Sequence, residues 1–489
     1  MSTSQTPRAP NQPRNAPIGG ASRGARLPQN PGVQAGGQKA FPTFFAYALA
    51  LYIAVTLGRV HEVIPILGRL YLGKLSGLLL IGAFFVDSKK LPTAAAMKTP
   101  TAKCIGLITV LAILSIPASY WPGYSVGILK NVWPLMVLLG VGVLFGFNNR
   151  RIAYMGIATV LIVGGIGAAE LMLGGGMSTV TALSEGVNAA TATRAYIGGG
   201  GSSTYDANYS AAFFVMLLPY AIMFASRKGP MRFVGMAAVP TLALAMIKTG
   251  SRGGIIALAV LALCIPFFAE KKQRTRQIVF LTIGLGAMML APHSELAARM
   301  SSLVSGSDYN LSGNMGRWAI WTTGIGLMFT HPIVGVGIGA FPVADASASG
   351  AYVDAHNTYV QIAAELGILG IGALVVMIVV AFRSLQRSRK VLRAMTKGGD
   401  SSPDVSLDSA LATAALCSLI AELTAATFLS MAYESMTMFA LTVPIALAMT
   451  QRSPGQLRAT VANGTARIRR QFAPRAAAVP RRAALPPAS

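Results

Sequence analysis

The sequence predicts an all-α membrane protein that crosses the bilayer many times, and three observations lead to this fold class. Of its 489 residues, 53% are hydrophobic and only 12% are charged, about half the charge of an average soluble domain. The charge is uneven, with 41 Lys and Arg against 16 Asp and Glu and a formal net charge of +25. The apolar residues gather into runs close to the length that a spanning helix needs, about 20 residues. Together these features exclude an ordinary soluble enzyme and an acidic disordered chain.

The two ends of the chain differ from the part between them. Residues 1–40 are rich in Pro, Gly, Gln and Asn, and residues 451–489 carry arginines among Pro and Ala; neither segment contains an acid. Such compositions cannot bury enough apolar surface to fold. We therefore expect two disordered basic cytoplasmic tails that flank a transmembrane domain at residues 41–450. Attraction to the anionic inner surface of the membrane explains their charge more simply than nucleic-acid binding does.

About twelve apolar runs between the tails are candidate spans. They lie near residues 42–58, 68–86, 102–119, 129–147, 152–173, 207–226, 232–248, 254–269, 277–292, 357–382, 408–428 and 433–450.

The distribution of Lys and Arg predicts how these spans are oriented. Basic residues favour cytoplasmic loops. If the N-terminus lies inside, the most basic loops all fall inside as well, and these are residues 87–103, 150–151, 227–232, 271–276 and 383–397. An even number of spans also returns the C-terminus to the cytoplasm. The predicted topology therefore has both termini in the cytoplasm.

Two segments on the predicted outer side are too long to be simple turns. The first covers about residues 174–206, and the second, residues 293–356, is the long outer loop. Loops of this length are usually functional or disordered. The second segment also contains a helix-like run from Arg317 to Phe329 with Trp318 and Trp321, which we expect to lie at the membrane interface with its indoles at headgroup level.

Three arginines on the predicted outer side are exceptions to the charge rule. Arg194 lies in the first outer segment, Arg252 lies in TGSRGG between two spans, and Arg317 begins the predicted interface helix. Guanidinium groups pair well with phosphate oxygens, so the three could form an anion site. The alternative for each is a helix-end anchor that extends to the headgroups.

His356 is the candidate general base. It stands where the long outer loop re-enters the membrane, and Asp354 lies two residues before it. An imidazole can accept a proton from a hydroxyl near neutral pH, but a single histidine is often structural, and Asp354 could be a solvated loop acid. We expect no bound metal, because no His, Asp or Glu pair has ligand spacing on a helix.

Four motifs resemble the O-antigen ligase and polymerase family of bacterial envelope glycosyltransferases. They are SRGG at 251–254, GRWAIW at 316–321, HPIVGVGIGAF at 331–341 and AHNTYVQIAAELGILG at 355–370, which together define a motif region at about residues 250–370. RAYIGGGGSSTYDANYSA at 194–211 is similar to the upstream Arg of the family and its Asp-Pro-Asn helix start. Here the second of those three residues is Ala207 instead of proline.

This resemblance implies a multi-pass transferase of the bacterial inner membrane that acts at the periplasmic face without a cofactor or metal. The donor would be a glycan linked to undecaprenyl diphosphate. Arg194, Arg252 and Arg317 would bind the diphosphate, and His356 would activate the acceptor hydroxyl. Membrane lipid and a chain-length regulator are further candidate partners, whereas nucleic acid is not expected.

Three functions remain open from the sequence. A polymerase of O-antigen or exopolysaccharide, which we favour slightly, would join lipid-linked repeat units. A ligase would transfer the finished chain to lipid A-core. A transporter or flippase of lipid-linked sugar would carry charged residues inside its spans. The acids in or near spans show no evident pairing in the sequence; they are Glu170, Glu365, Glu422 and Glu434.

Overall fold

A computed structural model of the chain describes residues 41–58, 70–173, 177–180, 192–195, 207–268, 274, 316–399 and 402–450. The helices in this part of the chain are α1 (Thr43–Thr56), α2 (Leu72–Asp87), α3 (Thr93–Met97), α4 (Pro100–Ser115), α5 (Pro122–Asn131), α6 (Trp133–Gly146), α7 (Arg150–Met172), α8 (Ala207–Ala225), α9 (Met231–Lys248), α10 (Arg252–Phe268), α11 (Arg317–Thr330), α12 (Phe341–Ser349), α13 (Thr358–Lys397), α14 (Pro403–Ala426) and α15 (Ser435–Met449). Short 3₁₀ turns follow α2 and α4.

The helical membrane class predicted from the sequence is confirmed. Every predicted span overlaps a described helix except 277–292, which lies outside the described residues, as do both tails. Within the part of the chain that the structure describes, 7 helical stretches could cross a membrane by length and composition, and three apolar helices are shorter. The number of spans and their orientation stay predictions.

A small β-hairpin departs from the purely helical prediction. Strands β1 (Met177–Val180) and β2 (Ala192–Ala195) pair antiparallel within the first outer segment, with Ser178 opposite Arg194. Thr occurs in both strands and Val180 ends β1, and such β-branched residues favour extended backbone.

One end of the helix bundle is held by basic residues, and we call it the basic end. Arg150 begins α7, and its Nε and Nη2 lie 2.6 and 2.7 Å from the two carboxylate oxygens of Asp408 on α14. Arg150 Nη1 also lies 2.7 Å from Asp404, and Arg227, just after α8, donates to the Ser406 carbonyl at 3.3 Å. The start of α7, the end of α8 and the start of α14 therefore meet, as the alternating directions of the predicted topology require.

Helix α11 packs against α13 instead of lying alone at the interface. A Cβ added at Gly324 would lie 2.4 Å from Val360 on α13, and the Trp321 indole donates to the Ala355 carbonyl at 3.0 Å. Trp318 is 65% exposed. The helix predicted at Arg317–Phe329 is thus confirmed, but only one of its two indoles is available to the headgroup region.

Helix α13 is broken at Gly367, where φ is 68°. The glycine-rich segment, residues 331–341, binds the backbone groups that the break releases. Val336 N donates to the Ala364 carbonyl at 2.9 Å, and Ile368 N donates to the Pro332 carbonyl at 2.8 Å. Irregular backbone at membrane depth needs such partners because lipid offers none.

The Glu365 carboxylate holds the other side of the glycine-rich segment. It accepts from Gly339 N at 2.9 Å, from Phe341 N at 3.3 Å and from the Tyr433 hydroxyl at 2.5 Å. The sequence showed no evident pairing for Glu365, and the structure corrects this, since the carboxylate is buried among backbone donors. Buried polar groups are tolerated when bonded in this way.

The close fit of the glycine-rich segment predicts a large difference between two glycine substitutions. Gly335 and Gly350 both have positive φ, 67° and 80°. A Cβ at Gly335 would lie 2.2 Å from the Glu365 carbonyl carbon, whereas one at Gly350 would meet nothing within 4 Å. We expect Gly350→Ala to cost about 1 kcal/mol through its backbone conformation alone and Gly335→Ala about 2 kcal/mol more through steric overlap. Thermal unfolding of both variants in detergent measures this; equal losses would contradict the packing described.

Candidate functional site

The connection between α14 and α15, residues 427–434, is where the predicted site residues meet. We call it the 427–434 connection. It lies at the end of the bundle opposite the basic end, and helices α8, α10, α11 and α13 all begin beside it. The described contacts below place Arg252, Arg317 and His356 around this one segment.

His356 has an unusual backbone conformation that the connection supports. Its φ is 46°, in the left-handed region, which few residues other than glycine adopt and where strain often accompanies function. Its N–H donates to the Ser430 hydroxyl oxygen at 2.9 Å. The next residue, Asn357, caps α13 by accepting from Tyr359 N at 2.9 Å and Val360 N at 3.1 Å. The motif His-Asn therefore consists of a strained residue followed by a helix cap.

Thr358 attaches the first turn of α13 to the connection. Its hydroxyl donates to the Leu429 carbonyl at 2.7 Å and accepts from Met431 N at 2.9 Å. Because both bonds are buried, neither exchanges readily with solvent. The positions of His356 and of the connection are consequently coupled.

Arg252 is the first residue of α10 and reaches the same region. A Cβ added at the adjacent Gly253 would lie 3.0 Å from Phe428 Cβ, so the start of α10 contacts the connection directly. Ser251 Oγ donates to Asn208 Oδ1 at 2.7 Å and accepts from Gly254 N at 3.2 Å. The Asp-Ala-Asn helix start and the SRGG motif, which are separated in sequence, are thus bonded to each other.

The Arg317 side chain lies over the aromatic ring of Phe428. The guanidinium carbon of this residue, the first of α11, is 5.6 Å from the centroid of the Phe428 ring. A cation–π contact of this kind orients a guanidinium group over the ring. Phe428 therefore links the start of α10 with the Arg317 side chain.

The helix directions add to the positive character of this end. Tyr209, in the first turn of α8, donates its hydroxyl to the Ser430 carbonyl at 2.8 Å, so α8 begins here together with α10, α11 and α13. The N-terminus of a helix carries a partial positive charge, which favours anions. With two arginines among four helix starts, the arrangement suits an anion such as a diphosphate.

The remaining candidates lie elsewhere or are described only in part. Arg194 lies on β2, where its backbone alone is described; its role stays a prediction. Asp354 is exposed. His331 packs its ring edge-on against that of Tyr120, with the ring centroids 5.6 Å apart. Among the described residues, no group of three or more His, Cys, Asp or Glu side chains could hold a metal ion.

The role of the 427–434 connection was not predicted from the sequence. In the sequence it is a short turn between the candidate spans 408–428 and 433–450, and no motif marks it. Its one sequence signal is the polar set Ser430, Tyr433 and Glu434 between two apolar runs. Loss of hydration and then the Glu365 carboxylate raise the pKa of Tyr433 well above its ordinary value, so the phenol keeps the proton that it donates to Glu365.

Part of the chain matches a known protein family. No curated protein matches the chain. A family model described as O-antigen ligase matches residues 237–375, less than a third of the chain. The matched region contains Arg252, Arg317 and His356, and it ends before the 427–434 connection. This match bears out the resemblance drawn from the four motifs: residues 237–375 are similar to the O-antigen ligase family.

Proposed function

We propose that the protein is a membrane glycosyltransferase of the bacterial inner membrane. It moves a glycan from undecaprenyl diphosphate onto an acceptor hydroxyl at the periplasmic face. The observation that carries this proposal is the meeting of Arg252, Arg317 and His356 around one short segment, although they lie far apart in the chain. The family match to residues 237–375 supports a ligase-type or polymerase-type transferase.

The proposed reaction is a direct displacement at the anomeric carbon. His356 takes the proton from the acceptor hydroxyl as its oxygen forms a bond to that carbon. The bond from the anomeric carbon to the diphosphate oxygen breaks, and the diphosphate leaves with the electron pair. Arg252 and Arg317, with the neighbouring helix N-termini, stabilise the developing charge in a preorganised site, and Arg194 is a third candidate for this role.

Polymerase is the favoured assignment within this class, and ligase is the alternative. Both use the same donor and the same chemistry, and they differ in the acceptor, which is a lipid-linked repeat unit for the polymerase and lipid A-core for the ligase. Transport of a lipid-linked sugar is a weaker candidate. A coupling acid would be expected within a span, but Glu365 is engaged with backbone N–H groups of the glycine-rich segment.

Reconstituted protein supplied with undecaprenyl-diphosphate glycan tests this proposal. We expect chain extension without lipid A-core. His356→Ala should lower the rate by about 10²–10⁴, the usual contribution of a general base, and Arg252→Ala or Arg317→Ala by about 10²–10³.

Arg227→Ala is the matched control, because it removes an arginine at the basic end, where its guanidinium group donates to Ser406. It should transfer at the normal rate. Transfer only when lipid A-core is present would identify a ligase. A folded His356→Ala protein with full activity would contradict the assignment of the base.

Direct displacement also predicts the stereochemistry of the product. Attack on the face opposite the diphosphate inverts the anomeric configuration of the transferred sugar, because the proposed reaction is a single displacement without a covalent glycosyl intermediate. Nuclear magnetic resonance of the new linkage, compared with the donor, measures this. Retained configuration would require two displacements and would exclude the mechanism.

Ser430 is the residue that we expect to position His356. Ser430→Ala removes the acceptor of the His356 N–H, and loss of one such bond corresponds to about tenfold in rate. We expect kcat to fall by about that factor while KM for the donor stays unchanged, and Ser430→Thr to restore kcat.

Ser418→Ala provides the control, since it removes a hydroxyl from α14 that donates to the Met216 carbonyl far from the connection. If Ser430→Ala and Ser418→Ala lowered stability equally and neither changed kcat, Ser430 would have a structural role alone.

A further inference from the structure

A groove lies between α2 and α6. Its volume is about 590 Å³, and its walls are almost entirely apolar. Leu78 and Ile81, which line it, are 65% and 42% exposed. An open apolar groove on the side of a membrane protein suits a hydrocarbon chain.

Only one end of this groove is polar. Lys74, in the first turn of α2, and Lys130 and Asn131, at the end of α5, complete the lining. Both lysines are exposed, and within the described part of the chain neither forms an ion pair with an acid. A ligand that matches this groove has an apolar chain and an anionic head.

The lysine end of the groove lies close to the 427–434 connection. Trp133, the first residue of α6, follows Asn131 by two residues, and its ring is 6.3 Å from that of Tyr433, in an edge-on arrangement. The Trp133 indole also donates to Thr109 Oγ1 at 2.9 Å, which fixes its orientation. The groove therefore opens at the same end of the bundle as the arginines.

We propose that this groove binds the lipid diphosphate of the acceptor, which rests on the proposed polymerase function. The hydroxyl that reacts lies at the far end of the acceptor's repeat unit from its own diphosphate. The acceptor diphosphate therefore needs a second anion site, at the same membrane face as Arg252 and Arg317 but separated from them. Lys74 and Lys130 supply that site, and the groove holds the polyprenyl chain.

The charge of the groove favours a diphosphate over an ordinary phospholipid. Two lysines match the two negative charges of a diphosphate diester, whereas a phosphatidylglycerol headgroup carries one. Each lysine near an anionic lipid contributes roughly fivefold to affinity, so the pair contributes about thirtyfold.

Binding of labelled undecaprenyl diphosphate to the full chain in phosphatidylcholine nanodiscs tests the proposal. We expect two bound molecules in the wild type. The double variant Lys74→Gln/Lys130→Gln should lower the affinity for one of these two molecules by about thirtyfold, which is the effect of removing both charges. Leu78→Trp, which fills the groove and keeps both lysines, should weaken the same one.

The double variant Lys98→Gln/Lys103→Gln removes two exposed lysines near α3 and α4 and should still bind two molecules. Arg252→Ala/Arg317→Ala should lose the other molecule and keep the groove site, so failure of the proposed function would be seen separately. Unchanged binding by the Lys74 and Lys130 variant would overturn the proposal. So would equal competition by phosphatidylglycerol, which would identify a general anionic-lipid site.

Discussion

The hydroxyl group of Thr358 holds together the two segments on which the candidate site depends. It donates to the Leu429 carbonyl and accepts from Met431 N, so it joins the first turn of α13 to the 427–434 connection from both sides. His356 lies two residues before Thr358, and Ser430 lies between the two bonded positions. A displacement of either segment would break buried hydrogen bonds, and each buried donor or acceptor left without a partner costs about 1–3 kcal/mol. His356 can therefore keep its left-handed backbone conformation.

The same connection is also joined to the broken part of α13. Tyr433 donates to Glu365, which accepts in turn from the backbone of the glycine-rich segment. On the opposite side of this segment, Ser125 Oγ donates to the Ile338 carbonyl at 2.6 Å. The motif HPIVGVGIGAF thus has a structural explanation, because its backbone replaces the helical bonds lost at Gly367. The hydrogen-bonded glycine-rich segment supports the 427–434 connection through Glu365 and Tyr433. The two arginines and His356 lie around that connection.

Much of the fold could be predicted from the sequence, because lipid imposes a simple rule on apolar runs. The helix at Arg317 and the grouping of basic residues at one end of the bundle follow from hydropathy and charge. Two of the three partners of Glu365 could not be predicted, because they are backbone N–H groups, and backbone donors have no sequence signature. The hairpin at β1 and β2 was missed for a similar reason, since two four-residue strands are too short to establish a period. Phe428 and Ser430 were missed because their importance comes from contacts with residues more than 70 positions away, and a phenylalanine two residues before a serine is ordinary in a turn.

In the proposed function, Arg252 and Arg317 bind a lipid diphosphate beside Phe428, and His356 faces the sugar. The most direct measurement is an electron cryomicroscopy structure of the full chain with an undecaprenyl-diphosphate glycan bound. We expect diphosphate oxygens within hydrogen-bond distance of both guanidinium groups, and the His356 imidazole directed towards the anomeric carbon. A diphosphate bound elsewhere, with both arginines contacting only protein, would contradict the assignment of the diphosphate site to Arg252 and Arg317.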